Sequence, residues 1–281
     1  LLLVVLLVVA AWVIAAVERL TAHASAVRDG RPSVPPPLPG RTLRDLGTAF
    51  EEMRDALEGR QHAARYTQAV AHGVKAPLAA IRGAAELLGE DLPAAERTRF
   101  LENIRGESAR IQQMVDRLLE LSSLEARKAL SQTEVVTAAE LTREAAAAMQ
   151  PAFAVRQVRL DVDSGAGAVR GERVLLREAL VNLLQNALEF SPDGGEVTLT
   201  VRGQDGRVEF TVADRGPGVP DYALPQVFDR FYSLPRPGGS RKSTGLGLAL
   251  VREIAHLHGG GAALANRAGG GACATLWVPA A

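Results

Sequence analysis

Amide and carboxylate side chains with the spacing of a ligand site stand out in the second half of the chain. Asn182 and Asn186 are four residues apart, so on a helix they share one face. Their amide oxygens suit Mg²⁺, which prefers oxygen ligands. Asp214 follows a strand-like segment, and its carboxylate can accept a hydrogen bond from an exocyclic amine such as that of adenine. These residue types predict a magnesium nucleotide site.

Glycines follow the acidic residue in two pairs. Gly216 and Gly218 allow the backbone to approach a ring closely and to adopt positive φ. Gly245 and Gly247, on either side of Leu246, open a predicted helix, whose N-terminal N–H groups favour phosphate. A single Gly-x-Gly is weak support, but the asparagine pair and both glycine pairs follow in a fixed order. That order predicts an ATP pocket.

A long loop, residues 219–244, separates the two glycine pairs. It carries the aromatic run Phe228–Tyr232, and its basic residues are Arg230, Arg236, Arg241 and Lys242. A long loop with its own aromatic and cationic side chains is typical of a lid over phosphates. For each cation taken alone, a solvated loop charge is the alternative.

His72 lies far upstream, on a predicted helix opposite its apolar stripe, and is therefore expected to face solvent. Small residues share its side (Ala76, Ala79 and Gly83), and Pro77 should kink the helix there. An exposed ring nitrogen beside a docking surface can attack a γ-phosphate. The alternative, an incidental surface histidine, fits His23, His62 and His256 better.

Composition limits the alternatives. The chain has 281 residues, with 32 basic and 32 acidic side chains, and this balance argues against a nucleic-acid surface. Its single cysteine, Cys273, excludes an internal disulfide and a zinc site built from cysteines.

The first seventeen residues, 1–17, contain no charge. They would span about 25 Å as a helix, slightly less than a bilayer core of about 30 Å. We interpret them as a truncated transmembrane helix; a signal peptide would need a basic start and a cleavage site that the segment lacks. Arg19 and Arg28 follow it and suit the cytoplasmic side of a membrane, so we expect the rest of the chain to be cytoplasmic.

Residues 18–63 form a linker in which a proline-rich run, residues 31–40, separates two helix-like pieces. The run favours an extended connector. The second piece has apolar residues at coiled-coil spacing (Leu43, Leu46, Phe50, Met53 and Leu57). This arrangement resembles a HAMP signal-relay module, with an ordinary juxtamembrane linker as the alternative.

Residues 64–128 contain two amphipathic helices separated at Pro93. Their apolar stripe is too large for one hairpin to hide, so we expect a homodimer that forms a four-helix bundle. Residues 135–281 alternate like strands at 158–163, 196–202, 207–213 and 272–278, with helices predicted at 172–190 and 244–258. This mixture predicts an α/β sandwich with helices on one sheet face.

These motifs resemble those of sensor histidine kinases, whose ATP-binding domain is shared with gyrase, a heat-shock chaperone family and MutL. Residues 77–88, and residues 220–224 followed by 228–236, look especially like the CreC-type sensor kinases of bacterial inner membranes. The asparagines match the N box, the two glycine pairs match the glycine boxes, residues 228–232 match the F box and His72 matches the phosphoacceptor position. The resemblance implies that Asn186 holds Mg²⁺. It implies that ATP contacts Asn182, Asn186, Phe190, Asp214, Gly216, Gly218, Arg230, Lys242, Gly245, Leu246 and Gly247.

The resemblance further implies autophosphorylation on His72 and phosphotransfer to an aspartate of a response regulator. Three positions depart from the family pattern. Gly73 replaces an acidic neighbour of the histidine, Ala76 replaces a residue that orients water for dephosphorylation, and Glu189 stands where relatives often have a lysine. We therefore expect a kinase with weak phosphatase activity and slow autophosphorylation. The alternative is a nucleotide-binding signalling scaffold without phosphotransfer; a stand-alone ATPase would leave His72 unexplained.

Overall fold

The computed structural model describes residues 21, 73–89, 92–127, 129–236 and 243–281. The chain divides into two compact units, 1–68 and 69–281, and all described residues except Thr21 belong to the second. His72, Lys242, the apolar residues 1–17 and the HAMP-like linker apart from Thr21 lie outside the described residues. No helix within the described residues has both the length and the hydropathy needed to cross a membrane.

The stem of the unit is a pair of helices, α1 (residues 73–87) and α2 (Ala94–Glu125). Pro93 precedes α2 with an extended ψ of 145°, as expected of a residue that ends the inter-helix turn. Three apolar residues of α2 are buried: Met114, Leu121 and Leu124. Leu78 of α1 and Leu119 of α2 are 55% and 64% exposed, so the described residues leave these two apolar side chains largely uncovered.

The remaining residues form a sheet layer and a helix layer. The strands are β1 (Glu134–Thr137), β2 (Arg159–Asp163), β3 (Ala168–Gly171), β4 (Glu196–Gln204), β5 (Arg207–Ala213), β6 (Gly261–Asn266) and β7 (Ala272–Pro279). The helices are α3 (Ala138–Val155), α4 (Arg173–Phe190) and α5 (Gly247–Leu257). The main sheet has the order β2-β4-β5-β7-β6, while β1 and β3 form a separate antiparallel pair.

The main sheet buries one face against the helices. Strand β2 runs parallel to β4, and the other pairs are antiparallel. Side chains alternate along each strand, so that Leu199, Phe210 and Leu276 are fully buried together with Leu184 and Ile254 of the helices. The opposite face stays partly exposed. The predicted α/β sandwich with helices on one face is therefore present.

Helix α3 and strands β1, β3 and β6 were not predicted. The start of α3 nevertheless has a clear signal, a capping box formed by Thr137 and Glu140. The Thr137 hydroxyl accepts from the Glu140 N–H at 3.2 Å, and the Glu140 carboxylate accepts from the Thr137 N–H at 3.1 Å. The hydrogen bond from the Thr137 hydroxyl is the main cause that lowers the pKa of Glu140. The Thr-x-x-Glu pattern would have located this helix.

Candidate nucleotide-binding site

Helix α4 supplies both asparagines, as the spacing predicted. Asn182 is buried, and its side-chain amide donates to the Glu178 carbonyl at 2.9 Å. A Cβ on Gly247 would lie 3.2 Å from Asn182 Oδ1, so the second glycine pair packs directly against this amide. Asn186, one turn later, lines two adjoining cavities. The helix thus brings its polar face to the start of α5.

The first cavity has a volume of about 60 Å³ and contains the predicted adenine-binding residues. Asn186, Phe190, Asp214 and Gly218 line it, and the apolar side chains in its wall are Val219, Val227, Leu234, Leu248, Leu264 and Ala272. An apolar slot with one buried carboxylate suits a flat base that carries an exocyclic amine.

Asp214 is fixed at the end of β5 by the backbone around it. It is 6% exposed, and its Oδ1 accepts from the Gly216 N–H at 2.8 Å and from the Ala272 N–H at 3.1 Å. Since two N–H groups hold one oxygen, the carboxylate has a defined orientation, and Oδ2 is the atom that can meet a ligand amine.

Gly216 is required by close packing of the backbone. A Cβ at this position would lie 2.4 Å from the Phe190 carbonyl oxygen, a distance that no side chain tolerates. The turn after Asp214 can therefore lie against the end of α4 only with glycine here. Gly218 has φ +76°, and the neighbouring Val219 donates its N–H to Asn266 at 2.7 Å.

The second cavity, of about 140 Å³, is more polar and lies towards the stem. It shares Asn186, Val227, Tyr232, Ser243 and Leu248 with the first cavity. Asn182, Gly245 and Gly247 also line it, together with Gln113 and Arg117 of α2. The two cavities are continuous, and the polar one opens on the N-terminus of α5, where phosphate groups are favoured.

Leu246, a predicted contact, precedes α5 and is 1% exposed. It packs in the core and lines neither cavity. Gly245 has φ +67° and its carbonyl accepts from the Phe231 N–H at 2.8 Å. Phe231 also has positive φ, 63°, so the end of the F-box loop is bound directly to the second glycine pair.

Arg230 lies away from both cavities. Its guanidinium pairs with Glu125 near the end of α2, and it lines neither cavity. Its predicted contact with ATP therefore stays a prediction, as does that of Lys242, which lies outside the described residues.

The stem contributes an ion-pair cluster that the sequence did not predict. Arg117 of α2 donates both to Glu120, at 3.0 Å, and to Glu178 of α4. Burial raises the pKa of Glu120 to about 7, with a further contribution from the neighbouring Glu178. Because Arg117 and Glu178 are 61 residues apart in sequence, no local pattern points to this pair.

The stem also meets the F-box loop beside the predicted phosphoacceptor position. A Cβ on Gly73 would lie 3.2 Å from the thioether of Met114 and 3.8 Å from the ring of Phe231. The residue that follows His72 in sequence thus packs against both the second stem helix and the nucleotide-binding domain. His72 itself lies outside the described residues.

Oxygen donors of the site fit Mg²⁺ when phosphate is also present. Asn186 faces both cavities, and its amide oxygen is a suitable ligand. No group of three His, Cys, Asp or Glu side chains with metal-binding geometry occurs among the described residues. An ion held by Asn186 would therefore take its remaining ligands from phosphate oxygens and water, as Mg²⁺ commonly does.

Family models match three parts of the chain. Residues 171–281 match the "Histidine kinase-, DNA gyrase B-, and HSP90-like ATPase" family, residues 63–127 match the "His Kinase A (phospho-acceptor) domain", and residues 8–59 match the "HAMP domain".

Among curated proteins, the sensor protein CreC of Escherichia coli strain K12 is 43% identical over 94% of this chain and 56% of CreC. The chain spans little more than half the length of the first curated relatives that it matches.

Two solved structures share the fold. Full-length ShkA in complex with AMPPNP has a TM-score of 0.55 and 27% identity, over 81% of this chain and 46% of ShkA. Histidine kinase ThkA in complex with the response regulator TrrA has a TM-score of 0.67 and 24% identity, over 83% of this chain and 66% of ThkA. The chain therefore contains HAMP, HisKA and HATPase_c domains, and over most of its length it is similar to a sensor protein, CreC.

Proposed function

We propose that this chain binds ATP with Mg²⁺ in its C-terminal domain and transfers the γ-phosphoryl group to His72. An aspartate on the receiver domain of a response regulator then takes the phosphoryl group. In this scheme the chain acts as a homodimer at the bacterial inner membrane, with its catalytic part in the cytoplasm.

The observation that carries the proposal is the pair of continuous cavities between α4, α5 and the stem. The apolar cavity holds Asp214, which would accept a hydrogen bond from adenine. The polar cavity holds Asn182, Asn186 and the glycines before α5, which would bind the phosphates. Its far wall is stem helix α2, so the phosphate end faces the domain that carries His72.

The chemistry assigned to the chain is nucleophilic attack by an imidazole nitrogen on the γ-phosphorus. A nitrogen–phosphorus bond forms as the bond to the bridging oxygen breaks, and ADP leaves. Mg²⁺ would supply charge neutralisation on the phosphates. Asn186 would hold this ion, and the N-terminal N–H groups of α5 would orient the phosphates.

The partners follow from the stem and the relatives. Exposed apolar side chains of α1 and α2, such as Leu78 and Leu119, are suited to burial in a four-helix bundle with a second copy. The complex of ThkA with TrrA supports a response regulator as the acceptor. Ala76, in place of a water-orienting residue, supports weak phosphatase activity.

Replacement of the acceptor tests the proposal. The full chain in detergent, incubated with Mg²⁺ and radiolabelled ATP, should acquire acid-labile, base-stable phosphate, and His72→Gln should abolish it. His256→Gln is the matched control, because His256 lies on α5 and should label normally. If His72→Gln still acquires acid-labile phosphate, a residue other than His72 is the phosphoacceptor. Absence of calorimetric heat with ATP and excess Mg²⁺ would contradict nucleotide binding altogether.

A further inference from the structure

The polar cavity contains an acid at a position where a cation would be expected. Glu189 lies one turn after Asn186 on α4 and lines the same cavity. Its side chain is only 18% exposed. An unpaired carboxylate here would repel the phosphates that the cavity is proposed to bind.

Two side chains hold this carboxylate. The Arg236 guanidinium donates an Nη2 proton to Glu189 Oε2 at 2.6 Å, and the Gln185 amide donates to Oε1 at 2.9 Å. Arg236 comes from the F-box side of the lid loop, 47 residues downstream of Glu189 in the printed sequence. The acid thereby fixes the position of a cation from a distant segment at the cavity wall.

Arg236 retains capacity for a further acceptor. Its Nε is buried and has no hydrogen-bond partner among the described residues, and a buried donor left unpaired is unfavourable. Arg236 and Glu189 both line the cavity that contains Asn186 and Gly245. A phosphate oxygen in that cavity would supply the acceptor, and the planar guanidinium fork suits phosphate geometry.

The other described arginine at this cavity is already engaged. Arg117 donates to Glu120 and Glu178, so its positive charge faces two carboxyl groups. In the part of the chain that the structure describes, Arg236 has one carboxylate partner and an Nε without an acceptor, and it lines the same cavity. Of these two cations, Arg236 is therefore the better placed to meet a phosphate.

We propose that Arg236 binds an oxygen of the β- or γ-phosphate of the nucleotide, and that Glu189 is a positioning residue that holds Arg236 for this contact. The proposal rests on the ATP site proposed above. In this arrangement Glu189, which alone would repel phosphate, supports phosphate binding because it positions Arg236.

The test compares two nucleotides that differ in their outer phosphates. Titration calorimetry on the full chain in detergent, with Mg²⁺, would measure the affinities of AMPPNP and AMP. Arg236→Ala should weaken AMPPNP binding roughly 10- to 100-fold, the loss expected for hydrogen bonds to a charged group, and should leave AMP binding unchanged. Glu189→Gln should produce a smaller loss with the same selectivity.

Rescue separates a ligand role from a structural one. The double variant Arg236→Ala/Glu189→Lys places a cation on α4 instead of the loop and should regain part of the AMPPNP affinity. Arg252→Ala is the matched control, since Arg252 pairs with Asp229 at 3.7 Å and lines neither cavity. It should bind both nucleotides as the unaltered chain does.

Three results would overturn the proposal: normal AMPPNP binding by Arg236→Ala, an equal loss for AMP and AMPPNP, or a double variant as weak as the single one. Each of these leaves nucleotide binding by the unaltered chain intact. If the unaltered chain binds neither nucleotide, the proposed function fails as well, so the two failures are distinguishable.

Discussion

The adenine end and the phosphate end of the site are built by different means. At the adenine end, backbone N–H groups of Gly216 and Ala272 fix Asp214. At the phosphate end, ion pairs between distant segments define the wall: Arg117 with Glu178 and Arg236 with Glu189. The first arrangement depends on local backbone geometry. The second depends on the charges of side chains from distant segments, so a charged ligand or a proton should affect it more, and it lies at the end where phosphoryl transfer is proposed.

The largest effect is expected from Asp214→Asn, which tests whether the adenine end depends on this one carboxylate. The amide can still accept from the Gly216 N–H, but its NH₂ group would face the adenine amine. We expect ATP affinity to fall roughly 10- to 100-fold, measured by calorimetry. Asp205→Asn, in the β4–β5 turn at φ 52°, is the control and should bind normally. If Asp214→Asn and Asp205→Asn bind ATP with equal affinity, Asp214 does not contribute to adenine recognition.

An intermediate effect is expected where the stem faces the phosphate end. Glu at position 73 should orient the His72 imidazole and speed autophosphorylation, but its Cβ would meet Met114 at 3.2 Å. We therefore expect Gly73→Glu/Met114→Ala to label about tenfold faster than Met114→Ala alone. This gain is smaller than the roughly 10²- to 10⁴-fold contribution of a general acid or base, because the new carboxylate would only orient the imidazole. Gly73→Glu alone should gain less. Initial labelling rates with radiolabelled ATP test this. If Gly73→Glu leaves the rate unchanged both with Met114 and with Met114→Ala, the absence of an acid beside His72 does not limit autophosphorylation.

The smallest effect is expected from protonation of Glu120, which lies in the ion-pair cluster between α2 and α4. The pKa of Glu120 is raised from 4.5 to about 7, mainly by burial. Its protonated form is therefore favoured in the folded state, and the corresponding stability is present below pH 4.5 and lost as pH rises through 7. Urea unfolding followed by circular dichroism should show stability declining over this range. Glu120→Gln should lack that decline, whereas Asp116→Asn, elsewhere on α2, should retain it; an identical slope in Glu120→Gln would contradict the assignment.

The adenine end could be predicted from sequence because its determinants are local. Asp214, Gly216 and Gly218 lie within five residues of one another, and each has a conformational or chemical reason that its residue type reveals. The asparagine helix was predictable for the same reason, and it starts at Arg173, one residue after the predicted boundary.

The phosphate end was only partly predictable. Arg236 was recognisable as a lid cation, but its pairing with Glu189 depends on tertiary packing. The contact of Arg117 with Glu178 joins residues 61 positions apart, and Arg230 pairs with Glu125, 105 positions away. Helix α3 was missed although its signals are local: it has a capping box, and its buried residues Leu141, Ala145, Met149 and Phe153 recur at helical spacing.

The junction between the stem and the asparagine helix has a mechanical consequence. Arg127, just after α2, pairs with Glu172, whose N–H donates to His258 at 3.0 Å and which immediately precedes α4. Glu172 thus links the end of α2 to the start of the helix that carries Asn182 and Asn186. A displacement of α2 is therefore expected to reach the side chain proposed to hold Mg²⁺, Asn186, through Arg127 and Glu172.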